Sequence, residues 1–150
     1  MPIDLDLLDY ALLALRCLLV YSIEEQIGNL YLIHYVRILN NMTDILRNVP
    51  PGHILSGITV SDIANLYRKR GIVDDVLVTR AGKYLTVEIV GCRVAREVHK
   101  LMKRQEHACP LLMPLILAVY ANYGPQIRLA EYPIITTDGA LARFELTSQS

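Results

Sequence analysis

Cys92, Cys109, His99 and His107 are the side chains of this sequence with the widest chemical scope. Cys92 follows a strand-like run and opens a helical one, and Cys109 begins the next helical run in the same way. A helix N-terminus favours a thiolate at such positions. His99 falls seven residues after Cys92, two helical turns along one face, and His107 precedes Cys109 by two. A Cys2His2 metal site is one chemistry open to these four. The spacing matches no regular zinc module, no CxxC occurs, and the two helices would have to converge. Cys92 and Cys109 as small buried hydrophobes beside surface histidines explain the same pattern more simply. Cys17, inside a leucine-rich helix, reads as core.

Nucleophilic catalysis has less behind it. The chain holds no Gly-x-Ser-x-Gly, no P-loop, no dinucleotide glycine fingerprint and no His-Glu-x-x-His. A Cys92–His99 pairing comes with nothing to build an oxyanion hole. Glu131, Asp138 and Glu145 fall in one hairpin near the C-terminus, where charges on the exposed face of paired strands account for them. The expectation is a protein without catalytic activity and without a cofactor.

Two basic clusters offer a different chemistry. Arg68-Lys69-Arg70 ends a helix, where cations suit the negative end of the dipole. Arg93, Arg96, Lys100, Lys103 and Arg104 stripe a helical run interrupted by Glu97 and Glu106. A phosphate-contacting face, and so a nucleic-acid-binding regulator, is the alternative function these residues allow. Thr59 to Tyr67 followed by a hairpin resembles the opening of a winged helix. Against this, 15 Lys and Arg balance 15 Asp and Glu, so no global field draws nucleic acid or an anionic membrane.

The elements that must position these groups follow from periodicity. Residues 4–21 read as a helix, apolar nearly all round and so buried on several sides, with acids in its first turn. Ser22 and Glu25 look like a capping box starting a second helix, whose face Ile23, Ile27, Leu30, His34, Ile38, Ile45 runs to about Arg47. Asn48-Val49-Pro50-Pro51-Gly52 stops it. A third helix fits Ser61 to about Arg70, closed by Gly71. The period then changes: Asp75–Arg80 and Tyr84–Val90 flank Ala81-Gly82-Lys83 as a hairpin. Cys92–His107 reads as helical, and another helix runs from Pro110 to about Tyr123, bent or delayed by Pro114. Ile127–Thr136 and Ala140–Thr147 make a second hairpin, and 148–150 a frayed tail. The expected fold class is α+β, with helices packed on one face of a four-stranded antiparallel sheet made of two hairpins. It is one domain over 1–150, with a helical half at 1–71 and a hairpin-helix-helix-hairpin half at 72–150.

Hydrophobic residues make up 53% of the chain, Leu, Ile and Val about a third, which excludes a disordered composition. Leu111, Leu112, Leu115, Ile116, Leu117 and Val119 crowd one helix. A helix with no polar side must be covered by neighbours, a second subunit or an apolar ligand. A pocket for a hydrophobic or lipid-like molecule among Leu111, Leu112, Leu115, Ile116, Val119 and Tyr120 is the sharper possibility, with Tyr31, Tyr35 and Tyr123 as further polar anchors. The longest apolar run, Ala108 to Ala121, has 14 residues and two prolines, below the roughly 18–20 needed for a membrane span. Asp4, Asp6 and Asp9 stand where a secretory signal carries positive charge, and three cysteines leave at least one thiol free. The expectation is a cytoplasmic protein with no membrane span.

The C-terminal half resembles the 4-vinyl reductase domain, related in fold to core subunits of the TRAPP vesicle-tethering complex. The likeness is carried by Tyr84-Leu85-Thr86-Val87-Glu88-Ile89-Val90-Gly91-Cys92, a strand ending in cysteine, and by Ala108-Cys109-Pro110-Leu111-Leu112, a Cys-led apolar helix. It is carried further by Ile127-Arg128-Leu129-Ala130-Glu131 and by Asp138-Gly139-Ala140-Leu141-Ala142-Arg143-Phe144-Glu145-Leu146, similar to the family's last hairpin. About 65 residues are covered, and the first 75 match only in being helical. Members often carry two further cysteines in that hairpin, near Ile134 and at Ala142, so a four-cysteine metal cluster is not open to this chain. The resemblance implies a mixed α/β homodimer, an apolar pocket between helices and sheet, and a binding or regulatory role, with a fatty-acid-like ligand as one occupant.

Overall fold

The computed structural model describes residues 7–147, leaving aside the side chains of Asn29 and Leu32. Asp4, Asp6 and the tail 148–150 lie outside the described residues. Five helices and five strands follow in the order α1 (Leu7–Ile27), α2 (Asn29–Arg47), α3 (Val60–Lys69), β1 (Asp75–Ala81), β2 (Tyr84–Val90), α4 (Ala95–His99), α5 (Leu112–Tyr123), β3 (Ile127–Leu129), β4 (Ile134–Ile135) and β5 (Ala140–Leu146). The fold is α+β with an antiparallel sheet, ordered β1-β2-β5-β3 with β4 also on β5.

β1 and β2 form the expected hairpin, in register from Asp75↔Val90 to Ala81↔Tyr84 around a two-residue turn. Strict alternation in β2 buries Leu85, Val87 and Ile89, which lie opposite Phe144, Ala142 and Ala140 of β5. Those six side chains make the sheet's inner face. The expected strand Ile127–Thr136 is instead two, β3 and β4, both on the same edge of β5, giving five strands where four are expected. Between them 130–133 face only Ala142 and Arg143, and Pro133 has no N–H to give the ladder.

α5 covers the inner face. Pro114 takes the third helical position, where its missing N–H costs no hydrogen bond, so it delays the helix rather than bending it. Leu112, Leu115, Ile116, Ala118 and Val119 are buried, and Tyr120 meets Phe144 edge to face with ring centroids 5.9 Å apart. Each fully buried Leu or Ile contributes roughly 1.5–3 kcal/mol. α2 and α3 pack on α5 from the other side.

The N-terminal helices depart from expectation. α1 runs straight through Ser22, because good helix formers follow it and neither Gly nor Pro stops the chain there. The break comes at Gly28, whose φ of 53° is open to glycine and strained for other residues. α3 starts at Val60, one residue before the expected Ser61, behind a capping box built by Thr59 and Asp62. Nor is α1 buried on several sides. Cys17 and Glu24 face inward, while Leu8, Leu15 and Leu19 are 67%, 62% and 64% exposed. In α2 the buried stripe is Tyr35, Leu39 and Thr43, and Leu30, His34, Ile38 and Ile45 face solvent.

The expected helix Cys92–His107 shrinks to α4. Backbone groups past it are claimed from elsewhere: Ile135 N–H donates to Gln105 O (2.8 Å), His107 N–H to Pro133 O (2.9 Å) and Lys103 N–H to the Tyr21 hydroxyl (2.8 Å). Those non-local bonds compete with the helical ladder and win. No helix among the described residues is long and apolar enough to cross a membrane.

Candidate functional site

α1, α3 and the approach to α5 enclose a cleft of about 400 Å³. Asp9, Leu12, Leu13 and Arg16 stand on one face of α1 at i, i+3, i+4 and i+7. Leu66, Tyr67 and Arg70 of α3 form the opposite wall, and Ile72, Pro110, Leu111 and Pro114 complete it. Tyr67 is fixed by a hydrogen bond from its hydroxyl to Leu111 O (2.9 Å), and burial followed by the nearby Cys109 and Cys92 pushes the phenol's pKa up. Arg70 crosses the cleft to pair with Asp9 (2.8 Å). Arg16, exposed at the margin, has no hydrogen-bond or ion-pair partner among the described residues.

Of the six residues expected to line a ligand pocket, Leu111 lies in this cleft. Leu112, Leu115, Ile116 and Val119 are fully buried in the hydrophobic core. Tyr120 accepts a hydrogen bond from Leu129 N–H (3.0 Å) and borders a separate surface groove with Arg47 and Arg128. Of the further tyrosines, Tyr31 stacks on Tyr35, whose buried hydroxyl has no hydrogen-bond partner among the described residues, and Tyr123 is exposed. Leu12, Leu13 and Arg16 escaped the sequence reading because a helix apolar on all sides gives no sign of which side is open.

The cysteines and histidines converge. Cys17, Cys92, Cys109, His99 and His107 surround one small cavity of about 10 Å³ with Val94, Val98 and Ala140. Among the described residues no group of three His, Cys, Asp or Glu is arranged to hold a metal ion. The thiols are also poor ligands and nucleophiles as they stand. Burial, and secondarily the other cysteines, pushes Cys17 and Cys109 up to about 12. Backbone N–H groups of Val94 and Ala95 do pull Cys92 down, as a helix start does, but burial outweighs them and its pKa rises too. His99 is lowered by burial, with Nδ1 against Thr136 O at 2.9 Å.

His107 belongs to a polar cluster that the sequence reading missed. Glu24, on the inner side of α1 and 1% exposed, accepts from Ala108 N–H (2.5 Å) and pairs with His107 Nδ1 (2.8 Å), itself 1% exposed. Arg104 lies 3.6 Å from both Glu24 and Glu25. The place of Glu24 seven residues after Cys17 is the available signal, because Cys17 marks the buried face.

The expected basic face is not one surface. Arg96 is on α4, Arg93 precedes it, Lys100 pairs with Glu97 (3.6 Å), and Lys103 lies in the turns beyond. Arg104 is drawn inward to the acids of α1. Arg68 pairs with Asp75 (2.5 Å) and Arg70 with Asp9, so two of the three cations of the second cluster are held by acids. Two of the three acids of the last hairpin are held by bases: Glu145 by Lys83 (3.1 Å) and Arg128 (3.4 Å), Glu131 by Arg143 (3.9 Å).

Comparisons with family models, with curated proteins and with solved structures each give no match. The likeness to 4-vinyl reductase domains therefore stands on the residues quoted for it and on nothing else.

Proposed function

We propose that this chain is a non-catalytic module that holds a hydrophobic small molecule in the cleft between α1, α3 and the start of α5. The observation that supports it is the cleft itself: about 400 Å³, within the usual range for a ligand site, with aliphatic and proline walls and three charged groups. Leu111 is the one residue the cleft shares with the expected pocket, and the cleft lies among helices rather than between helices and sheet, where the resemblance implies one. N-phenyl-1-naphthylamine fluorescence on the full chain tests it. Leu66 is exposed and contributes to the wall, so Leu66→Asp introduces a charge without disturbing the core. The dye should bind the wild type and bind Leu66→Asp about tenfold more weakly. Equal binding to both would remove the cleft as the site.

A second reading concerns assembly, and the outward side of α1 favours it. Leu8, Leu12, Leu15 and Leu19 alternate at four- and three-residue steps, the spacing of a coiled-coil seam, and all four are exposed, with Leu12 at the border between this seam and the cleft. Such a seam is self-complementary about a two-fold axis, so a second copy of the chain fits it. Light scattering after gel filtration should give a homodimer, and the double variant Leu15→Glu/Leu19→Glu should weaken it by at least about a hundredfold. A wild type that stays monomeric at tens of micromolar would end this reading.

A further inference from the structure

The charges of the cleft do not balance. Asp9 holds Arg70, which leaves the Arg16 guanidinium as the one charge in the cleft with no partner among the described residues. Arg16 lies two turns beyond Asp9 on the same face of α1, with Leu12 and Leu13 between them. The α1 wall is therefore amphipathic lengthwise: an ion pair at one end, two leucines in the middle, a free cation at the other. Leu66, Ile72 and Pro110 keep the middle apolar from the facing side. A guanidinium offers a fork of N–H donors that matches a carboxylate or a phosphate, and a neighbouring apolar wall strengthens such a bond by thinning the water around it.

Resting on the ligand reading above, we infer that the molecule bound in this cleft is an amphiphile with an anionic end group, its apolar chain lying on Leu12 and Leu13 and its carboxylate or phosphate engaged by Arg16. Recognition of the anion is then separable from recognition of the chain. Arg70 takes no part, because Asp9 already satisfies it.

Isothermal titration of the full chain with dodecanoate, dodecyl phosphate and 1-dodecanol, each below its micelle concentration, tests this. One or both anions should bind about fivefold more tightly than the alcohol, the gain an exposed charge pair supplies at its upper end. Arg16→Gln should erase that preference and leave 1-dodecanol binding unchanged. Tighter binding of dodecanoate assigns the carboxylate, and tighter binding of dodecyl phosphate assigns the phosphate. Equal affinity for all three ligands in the wild type, or a preference that survives in Arg16→Gln, overturns the inference while the cleft reading stands. If none of the three binds, the cleft reading falls and takes this inference with it.

Discussion

Replacing Glu24 by leucine should cost this protein about 3–5 kcal/mol of folding stability, seen as a lower urea midpoint at unchanged slope. Among the described residues the carboxylate is the only acceptor for Ala108 N–H, and it holds His107 Nδ1 at 2.8 Å with Arg104 alongside. Leucine fills a similar volume but leaves a buried N–H and a buried imidazole unsatisfied, and Arg104 keeps only Glu25. Glu24→Gln retains an acceptor for Ala108 and should cost less, about 1–2 kcal/mol. The companion experiment is Glu24→Leu with His107→Leu. If the cost arises from stranded polar groups, removing both partners recovers part of it, whereas two independent packing defects would add. A Glu24→Leu unfolding free energy within about 1 kcal/mol of wild type would show that the cluster contributes nothing net. The position of this clasp explains the size of the effect. It ties α1 to 104–108, and Tyr21 adds a bond to Lys103 N–H one turn earlier, so one end of α1 is held by polar groups and the other by the apolar cleft.

The parts of this fold that can be read from local pattern are those whose hydrogen bonds are local. Leu85, Val87 and Ile89 alternate with Thr86 and Glu88, and a glycine-bearing turn precedes them, so the β1–β2 hairpin follows from neighbours in sequence. Pro50-Pro51 likewise closes α2 where expected. The misread stretches are those settled at a distance. Residues 100–107 have the composition of a helix, yet Tyr21, Pro133 and Ile135 bind their backbone. Ser22 and Glu25 have the form of a capping box, and nothing in four residues reveals that Glu24 is needed at Ala108. The cleft suffers from the same blindness. Leu111 was legible as one side of an apolar helix, while Leu12 and Leu13 were taken for core, since α1 is apolar on both its inner and outer sides. Pairing of Arg70 with Asp9 joins residues 61 apart, and only that pairing singles out Arg16.

Gly139 serves close packing rather than backbone handedness. Thr137-Asp138-Gly139 has the composition of a turn, which suggests a glycine chosen for left-handed backbone, yet Gly139 is not among the glycines with positive φ. Its role is close approach: a Cβ there would run into the carbonyl oxygen and carbon of Ile89, which are backbone and cannot swing aside. Ala140↔Ile89 is the terminal pair of the β2–β5 ladder, Thr136 N–H donates to Gly139 O (3.0 Å), and Cys92 N–H donates to Asp138 O (2.7 Å). A methyl group at 139 therefore has to push β5 off the end of β2 and loosen both turn bonds. Gly139→Ala should destabilise by about 3 kcal/mol. Gly82→Ala is the informative comparison. Gly82 has a φ of 60° but open space around it, so alanine there meets only the left-handed penalty, roughly 1–2 kcal/mol. Urea unfolding of both variants ranks the two causes. If Gly139→Ala proves no worse than Gly82→Ala, the close approach of β5 to Ile89 is not what this glycine serves, and the join between the two hairpins tolerates more slack than the described geometry allows.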